Sequence, residues 1–361
     1  MQFPGKPLAV SLTLVGLLAG ACTASAPAPP AVPAPAQTQA EQVKYGKHAE
    51  EAKGHLAVAL ASYQTGDMAH AKLHAGHPPS ENLEVLEAPL KSRDPARAPS
   101  LRQSLQAPLQ ALEGQPSMAT FEATITAASE RLDAALRAVV PAQIPGSASF
   151  RTAVVLELLE AVAEEYAEAV EGGRLTSVEE YQDAYGFYVR ARSLYGDLEG
   201  DLKARDPQAH EEVQEALNNL ARALPGLAPP ASPIPVSQVQ SWIEGLSREL
   251  ASATGVPLKK SDPRSEVAAI KGYLARILTA YEKGDAAHAT QLAAEMYLDH
   301  YEKIEWRIIE KAPKLNGTLE PLLASKIRAR IKAGAPATDL AALVKEAQAG
   351  LDEAEKVLAA Q

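Results

Sequence analysis

Three histidines near residue 75 have the spacing of metal ligands on one helix face. His70, His74 and His77 follow one another at intervals of four and three residues, so all three would project from the same side of an α-helix that Pro78 ends. Neutral imidazole nitrogens are common ligands for divalent transition metals such as ferrous iron. The spacing predicts a metal site on this helix; the alternative is a polar, partly solvated face.

Two glutamate pairs offer a second type of ligand. Glu84 and Glu87 lie three residues apart, and Glu302 and Glu305 repeat that spacing later in the chain. Carboxylates on adjacent turns of a helix suit ferric iron, calcium and similar hard cations. We therefore predict metal ligation by both pairs, with His288 as a further ligand, although solvated helices often carry this pattern without any function.

An internal duplication explains why the glutamate pair occurs twice. Residues 53–71 and 271–289 are identical at eleven of 19 aligned positions, at a constant offset of 218 residues. The alignment continues through both glutamate pairs. Of the three clustered histidines only His70 has a histidine counterpart, His288, so a histidine-rich site would belong mainly to the first copy.

Helical periodicity runs through nearly the whole chain, and no segment has a convincing alternating strand pattern. Ser177 and Glu180 form the capping box of one helix, and in each copy a Gly-Asp pair ends one helix and caps the next. These patterns predict an all-α fold of helical hairpins and bundles, in which duplicated units at about residues 44–140 and 262–359 flank a central helical pair.

Proline-rich segments separate the predicted units. One covers residues 141–149 and another residues 224–237. The predicted organisation is a signal peptide (residues 1–21), a cysteine with an Ala/Pro-rich tether (22–43), a first repeat unit (44–140), a central hairpin unit (149–224) and a second repeat unit (238–361).

The amino terminus has the pattern of an export signal that ends at Cys22, the single cysteine of the chain. Its apolar stretch is shorter than a membrane-spanning helix and is typical of a signal peptide. The small residues before Cys22 resemble a bacterial lipobox, with Ala19 where leucine is usual. The resemblance implies acylation of Cys22 and a lipid-anchored protein on the extracytoplasmic face of an envelope membrane. A plain signal peptide or a single anchor helix is the alternative.

Composition excludes several classes of function. A net charge of −10 and a pI near 5.4 argue against nucleic acid or anionic lipid as a partner, because both need clustered positive charge. With no second cysteine, disulfides and thiolate metal sites are excluded. The sequence has no nucleophile elbow, phosphate-binding glycine loop or complete zinc-hydrolase motif, so we do not expect an enzyme.

Two stretches resemble the extracytoplasmic helical domain of bacterial ferric-iron permeases. They are EYAEAVEGG with the following SVEEYQDAYGFYVRARSLY, within residues 165–195, and YEKGDAAHATQLAAEMYLDHYEKIE at residues 281–305. The resemblance runs with gaps from Ser149 to Leu358 and implies a periplasmic-type helical module concerned with iron. The chain lacks the membrane part of a permease and its arginine-containing glutamate motif, so it is not itself a permease.

A shorter pattern adds two weaker candidates for metal ligation. Gly46, His48 and Glu51 fit the GxHxxE motif and are similar in this respect to imelysin-like proteins, an all-helical family of envelope proteins associated with iron. The second copy lacks the motif, and three fixed positions in six can also arise by coincidence.

The leading hypothesis is a lipid-anchored accessory protein that binds iron, or another divalent or trivalent cation, beside a metal transporter and without turnover. A second hypothesis is an envelope scaffold whose hairpins, loosely like tetratricopeptide units, bind another protein and no metal. A third is an imelysin-like protein. The second requires that the histidines and glutamates remain solvated and separate.

Overall fold

The computed structural model describes residues 37–258 and 262–359. Cys22, the expected signal peptide and most of the expected tether lie outside the described residues. Within them nearly all residues are helical, which confirms the all-α prediction. No helix in the described ranges is both long enough and apolar enough to cross a membrane.

The first repeat is a bundle of hairpins. Its helices are α1 (Gln39–Gln64), α2 (Met68–His77), α3 (Leu83–Arg93), α4 (Ala98–Glu113) and α5 (Met118–Val139). Thr38 and Glu41 form a capping box, so α1 begins inside the segment expected as a tether. A π turn at Pro78–Asn82 joins α2 to α3 and widens the helix at that point.

The central unit is a four-helix bundle, whereas the sequence predicted a pair. Its helices are α6 (Ala148–Ala169), α7 (Val178–Arg205), α8 (Pro207–Ala223) and α9 (Val236–Thr254). A hairpin of β1 (Val170–Glu171) and β2 (Arg174–Leu175) joins α6 to α7. The sequence grouped α9 with the second repeat, but α9 packs on α6 and α8. The proline-rich segment before α9 is a loop within this bundle. Tyr166 on α6 fixes this loop by donating a hydrogen bond to the Ile234 carbonyl.

The second repeat follows the order of the first. Its helices are α10 (Pro263–Glu282), α11 (Ala286–Met296), α12 (Glu302–Lys311), α13 (Pro313–Pro321), α14 (Ile327–Lys332) and α15 (Ala337–Ala359). A π turn at Tyr297–Tyr301 lies between α11 and α12, and another at Leu322–Lys326 lies between α13 and α14.

The duplicated sequence makes duplicated contacts. Lys53 forms an ion pair with Asp133 at 2.5 Å in the first repeat, and Lys271 forms the matching pair with Asp352 at 2.7 Å in the second. In both copies the glycine after the first long helix has a left-handed φ, and a π turn follows the second helix. The two repeats are therefore the same structural unit.

Two apolar cores stabilise this arrangement. One joins the first repeat to the central bundle, and the other lies within the second repeat. Ala294 and Leu298 of the second repeat reach into the first core, and Lys44 forms an ion pair with Asp299 at 3.0 Å. All three units consequently meet in one region, which is lined with polar side chains.

A glycine pair lets α1 and α7 cross at close range. A Cβ atom on Gly54 would lie 2.9 Å from the Phe187 ring, and one on Gly186 would lie 2.9 Å from the Gly54 carbonyl oxygen. The helices approach this closely because neither glycine has a side chain. The crossing brings His55, the residue after Gly54, next to Asp183 on α7.

We predict that Gly186→Ala lowers the free energy of unfolding by about 1–3 kcal/mol, because the new methyl group overlaps the backbone of Gly54. Gly272→Ala is the matched control, since Gly272 is the counterpart of Gly54 and a Cβ there meets no atom within 4 Å. The control should be neutral or stabilising by up to about 1 kcal/mol, because alanine favours helix. Urea unfolding measures both. Equal stability of the two variants would contradict the close crossing.

Candidate metal centre

Three imidazoles and one carboxylate form a buried cluster where α1, α2 and α7 meet. His55 comes from α1, His74 and His77 from α2, and Asp183 from α7. All four residues are buried, and one ligand atom of each lies within 4.8 Å of those of the other three. Nitrogen and oxygen donors gathered in this way are a candidate ligand set for a divalent transition metal.

Asp183 is the centre of this cluster. Its Oδ1 atom lies 2.6 Å from His55 Nδ1 and 3.0 Å from His74 Nδ1, and its Oδ2 atom lies 3.4 Å from His77 Nδ1. The Nδ1 atoms of His55 and His77 are 3.2 Å apart. In a tetrahedral site, metal–ligand bonds of about 2.0–2.2 Å separate neighbouring ligand atoms by about 3.3–3.6 Å. The donor atoms therefore need only small movements to enclose an ion.

Further contacts orient two of the imidazoles. His74 Nε2 lies 2.8 Å from Gln182 Oε1, and His77 Nε2 lies 3.1 Å from Glu179 Oε1. Oxygen atoms behind an imidazole fix the ring and its tautomer, and this arrangement accompanies most histidine ligands in metal sites. In both rings Nδ1 then faces Asp183.

The charges within the cluster stabilise one another. Burial alone would raise the pKa of Asp183, but the charge of His55 and hydrogen bonds from the imidazoles hold that pKa well below its usual range. Burial alone would lower the pKa of His77, but the charge of Glu81 and hydrogen bonds to Asp183 and Glu179 raise it to about 12. The cluster thus has an anionic centre on which a metal cation can replace protons.

The cluster lies at the wall of a cavity of about 610 Å³. The rest of the wall comes from α6, β1, α12, α13, α14 and the π turns of both repeats. Among the described residues that line this cavity, eleven are acidic, and Arg328 is the one permanent cation. The pKa values of Glu51, Glu179 and Asp183 are lowered, so these carboxylates are ionised. Their charges favour cations over anions in the cavity.

Glutamates from the central bundle and the second repeat line the same cavity. Glu165 and Glu168 on α6 and Glu180 on α7 have oxygen atoms within 4.8 Å of one another, and α12 supplies Glu302 and Glu305. Burial raises the pKa of all five, and neighbouring negative charges add to this effect. The pKa values of Glu180 and Glu305 rise to about 8.

Of the ligands predicted from the sequence, the structure brings His74 and His77 into the cluster, and it brings Glu302, Glu305 and the weaker candidate Glu51 to the cavity. It does not bring His70 or His288 to either.

His70 and His288 instead occupy the first turns of α2 and α11. The backbone N–H groups of these two histidines donate hydrogen bonds to Asp67 and Asp285, the residues that cap those helices. The Nδ1 atom of His70 also lies 2.7 Å from an Asp67 carboxylate oxygen, and His288 is exposed to solvent.

Glu84 and Glu87 form ion pairs away from the cavity. Glu84 pairs with Lys332 and lies 4.0 Å from Arg328, both in the second repeat, and Glu87 pairs with Arg102. These cations already balance both carboxylates. In the first repeat, Glu84 therefore pairs with the second repeat and Glu87 pairs with α4, whereas the glutamate pair of the second repeat lines the cavity.

His48 and Glu51 belong to a buried network of charges. His48 Nδ1 lies 2.9 Å from Glu51, His48 Nε2 lies 3.2 Å from Asp299, and Lys47 pairs with Glu51 at 3.0 Å. Burial alone would lower the pKa of His48, but the charge of Asp299 raises it to about 9. One ring nitrogen of His48 faces Glu51 on α1 and the other faces Asp299, so His48 connects α1 to the second repeat. His48 is not part of the imidazole cluster.

Sequence reasoning missed His55, Asp183, Glu165, Glu168 and Glu180. His55 lies in the histidine-rich first repeat, but Asp183 is 128 residues away and only the helix crossing joins them. Glu165 and Glu168 have the ExxE spacing within the stretch that resembles the permease domain. That repeated spacing was the signal available for these two residues.

The central bundle, whose helices α6 and α7 supply Asp183 and four of the cavity glutamates, is similar to a known class of domain. Residues 145–257 match the family described as iron permease-associated 4-helix bundle domain. The match covers α6 to α9 and confirms the resemblance to the helical domain of ferric-iron permease proteins for the stretch within residues 165–195. The stretch at residues 281–305 lies outside the match. No curated protein and no solved structure matches the chain. The similarity is therefore confined to the central four-helix bundle, and the two repeats lie largely outside the matched residues.

Proposed function

We propose that this protein is a lipid-anchored, extracytoplasmic accessory protein that binds iron, or a similar cation, and serves a metal transporter without catalytic turnover. The observation that carries the proposal is the buried cluster of three imidazoles around Asp183 at the wall of an acidic cavity. The iron permease-associated bundle supports iron as the metal and a permease as the partner.

The geometry suits capture and holding of an ion. The acidic lining attracts a cation into the cavity, and the cluster offers three nitrogen donors and one carboxylate donor. This mixed set fits Fe(II) and other divalent transition metals better than calcium or magnesium, which prefer oxygen donors.

The proposal includes an anchor at Cys22, which is supported by the sequence before it. A diacylglycerol on Cys22 would hold the helical body near a transporter in the same membrane. We predict that mass spectrometry of the membrane-extracted protein finds an acylated amino-terminal Cys22, and that Cys22→Ala moves the protein to the soluble fraction. Unmodified Cys22 in a membrane-bound protein would contradict the anchor.

We predict that the protein binds one Fe(II) or Zn(II) ion at the imidazole cluster. The double variant His74→Ala/His77→Ala should weaken this binding by at least about 100-fold, because loss of a group that only orients a metal ligand already costs about 10–100-fold in affinity. Anaerobic calorimetric titration measures both proteins.

The matched control is His70→Ala/His288→Ala, which removes two histidines that lie outside the cluster and should leave the affinity unchanged. Equal affinity of the wild type and His74→Ala/His77→Ala would remove the cluster as a metal site. Failure of all three proteins to bind any metal would favour an envelope scaffold that binds another protein.

A further inference from the structure

The Nε2 atoms of all three imidazoles face oxygen atoms on side chains outside the cluster. The distances are 2.8 Å from His74 to Gln182, 3.1 Å from His77 to Glu179 and 3.6 Å from His55 to Glu81. An ionised carboxylate only accepts hydrogen bonds, so it favours a proton on the nitrogen atom that it faces. Gln182 differs from the two glutamates, because an amide has an oxygen that accepts and an NH2 group that donates.

The proline-rich loop of the central bundle decides which end of this amide faces His74. Gln182 Nε2 donates a hydrogen bond to the Leu227 carbonyl at 3.3 Å. Because a carbonyl only accepts, the NH2 group must turn towards Leu227 and Oε1 must turn towards His74. Tyr166 fixes the other end of the same loop through its hydrogen bond to the Ile234 carbonyl. The loop therefore orients a group of the metal centre, although it supplies none of the four ligands.

Two oxygen atoms compete for the single ring proton of a neutral His74. Asp183 Oδ1 lies 3.0 Å from the Nδ1 atom of this ring, and Gln182 Oε1 lies 2.8 Å from its Nε2 atom. A proton on Nδ1 blocks that atom as a metal ligand, because an imidazole nitrogen coordinates through its lone pair. A proton on Nε2 leaves the lone pair of Nδ1 directed at the cluster.

Burial makes the position of this proton depend on Gln182. His74 is 0% exposed and Gln182 is 5% exposed, so the amide oxygen, and not bulk water, is the acceptor available to Nε2. A buried N–H group that loses its acceptor is costly. Without the amide, His74 would therefore keep its proton on Nδ1, where Asp183 accepts it, and a metal ion would have to displace that proton.

We propose that Gln182 is a positioning residue of the metal centre, which holds His74 in the tautomer that binds a divalent ion through Nδ1. Gln182 and Asp183 are successive residues of α7, so this helix supplies one ligand and also orients another. The inference rests on the proposed metal-binding function and deepens it, because it assigns the coordinating atom of His74 and the group that selects this atom.

Nitrogen NMR of the full chain, with isotope-labelled histidine and bound Zn(II), tests the assigned atom. Couplings between the ring nitrogens and the ring protons distinguish a protonated Nε2 from a protonated Nδ1, and the resonance absent from His74→Ala identifies His74. We predict a zinc-bound Nδ1 and a protonated Nε2 for His74 in the wild type. Zinc bound to His74 through Nε2 would overturn the inference.

Two substitutions of Gln182 test its role by calorimetric titration of Zn(II). Gln182→Leu removes the acceptor and should weaken binding by about 10–100-fold, as loss of a group that orients a metal ligand does in other sites. Gln182→Glu keeps an acceptor at the same position. It should bind Zn(II) more tightly than Gln182→Leu does and should retain coordination through Nδ1, which a purely structural role of the residue would not explain.

Gln42→Leu is the matched control, because Gln42 is also buried and also donates to a backbone carbonyl, that of Gln37 at 3.2 Å. Gln42 precedes His55 by about 20 Å along α1, so this variant should bind Zn(II) as the wild type does. Equal affinity of the wild type and Gln182→Leu, or equal loss in both Gln182 variants, would overturn the positioning role. If Gln182→Leu does not fold, the wild-type spectrum and Gln182→Glu still decide. Zinc binding by the wild type through the other nitrogen overturns this inference alone, whereas no zinc binding by the wild type overturns the proposed function as well.

Discussion

Asp183 is a buried carboxylate that stays ionised because three imidazoles surround it. Removing a carboxylate from water is costly unless charges and hydrogen-bond donors compensate, and the compensation here comes from two helices other than its own. The cluster around Asp183 requires both the α1–α7 crossing and the position of α2, because His55 comes from α1 and His74 and His77 come from α2. The same requirement makes the cluster a candidate metal centre, since a cation can replace the protons that stabilise the carboxylate.

Divergence of the two repeats gives the cavity its mixed chemistry. The positions of His55, His74 and His77 are taken in the second repeat by Tyr273, Leu292 and Glu295, so imidazole donors come from the first repeat alone. Conversely, the ExxE pair of the second repeat lines the cavity, whereas its counterpart in the first repeat is neutralised by cations. The central bundle contributes Asp183 and five glutamates. No unit holds a complete site, and the cavity is formed where all three meet.

The fold could be predicted largely from local patterns. Helical periodicity and the Gly-Asp pairs predicted the all-α hairpins and the duplication, because these signals act within a few residues of one another. The central bundle was harder to predict, because a proline-rich loop inside a bundle has the same composition as a linker between domains. The number of helices that pack together depends on contacts between distant segments, which the sequence pattern does not reveal.

The site was predictable only in part, for the same reason. His74 and His77 share a helix, and their spacing indicated a common face, but spacing did not indicate that His70 would lie in the exposed first turn. Glu84 and Glu302 have equivalent sequence positions, and only the fold gives one a lysine partner and leaves the other at the cavity.

X-ray absorption at the zinc K edge, on the full chain loaded with one equivalent of Zn(II), tests the imidazole cluster as a metal centre most directly. We predict a nearest shell of nitrogen and oxygen atoms at about 2.0–2.1 Å, with the outer-shell multiple scattering that imidazole ligands produce. A shell of oxygen atoms without imidazole scattering would contradict this centre, because the divalent ion would then lie among the carboxylates or on the surface rather than with the imidazoles around Asp183.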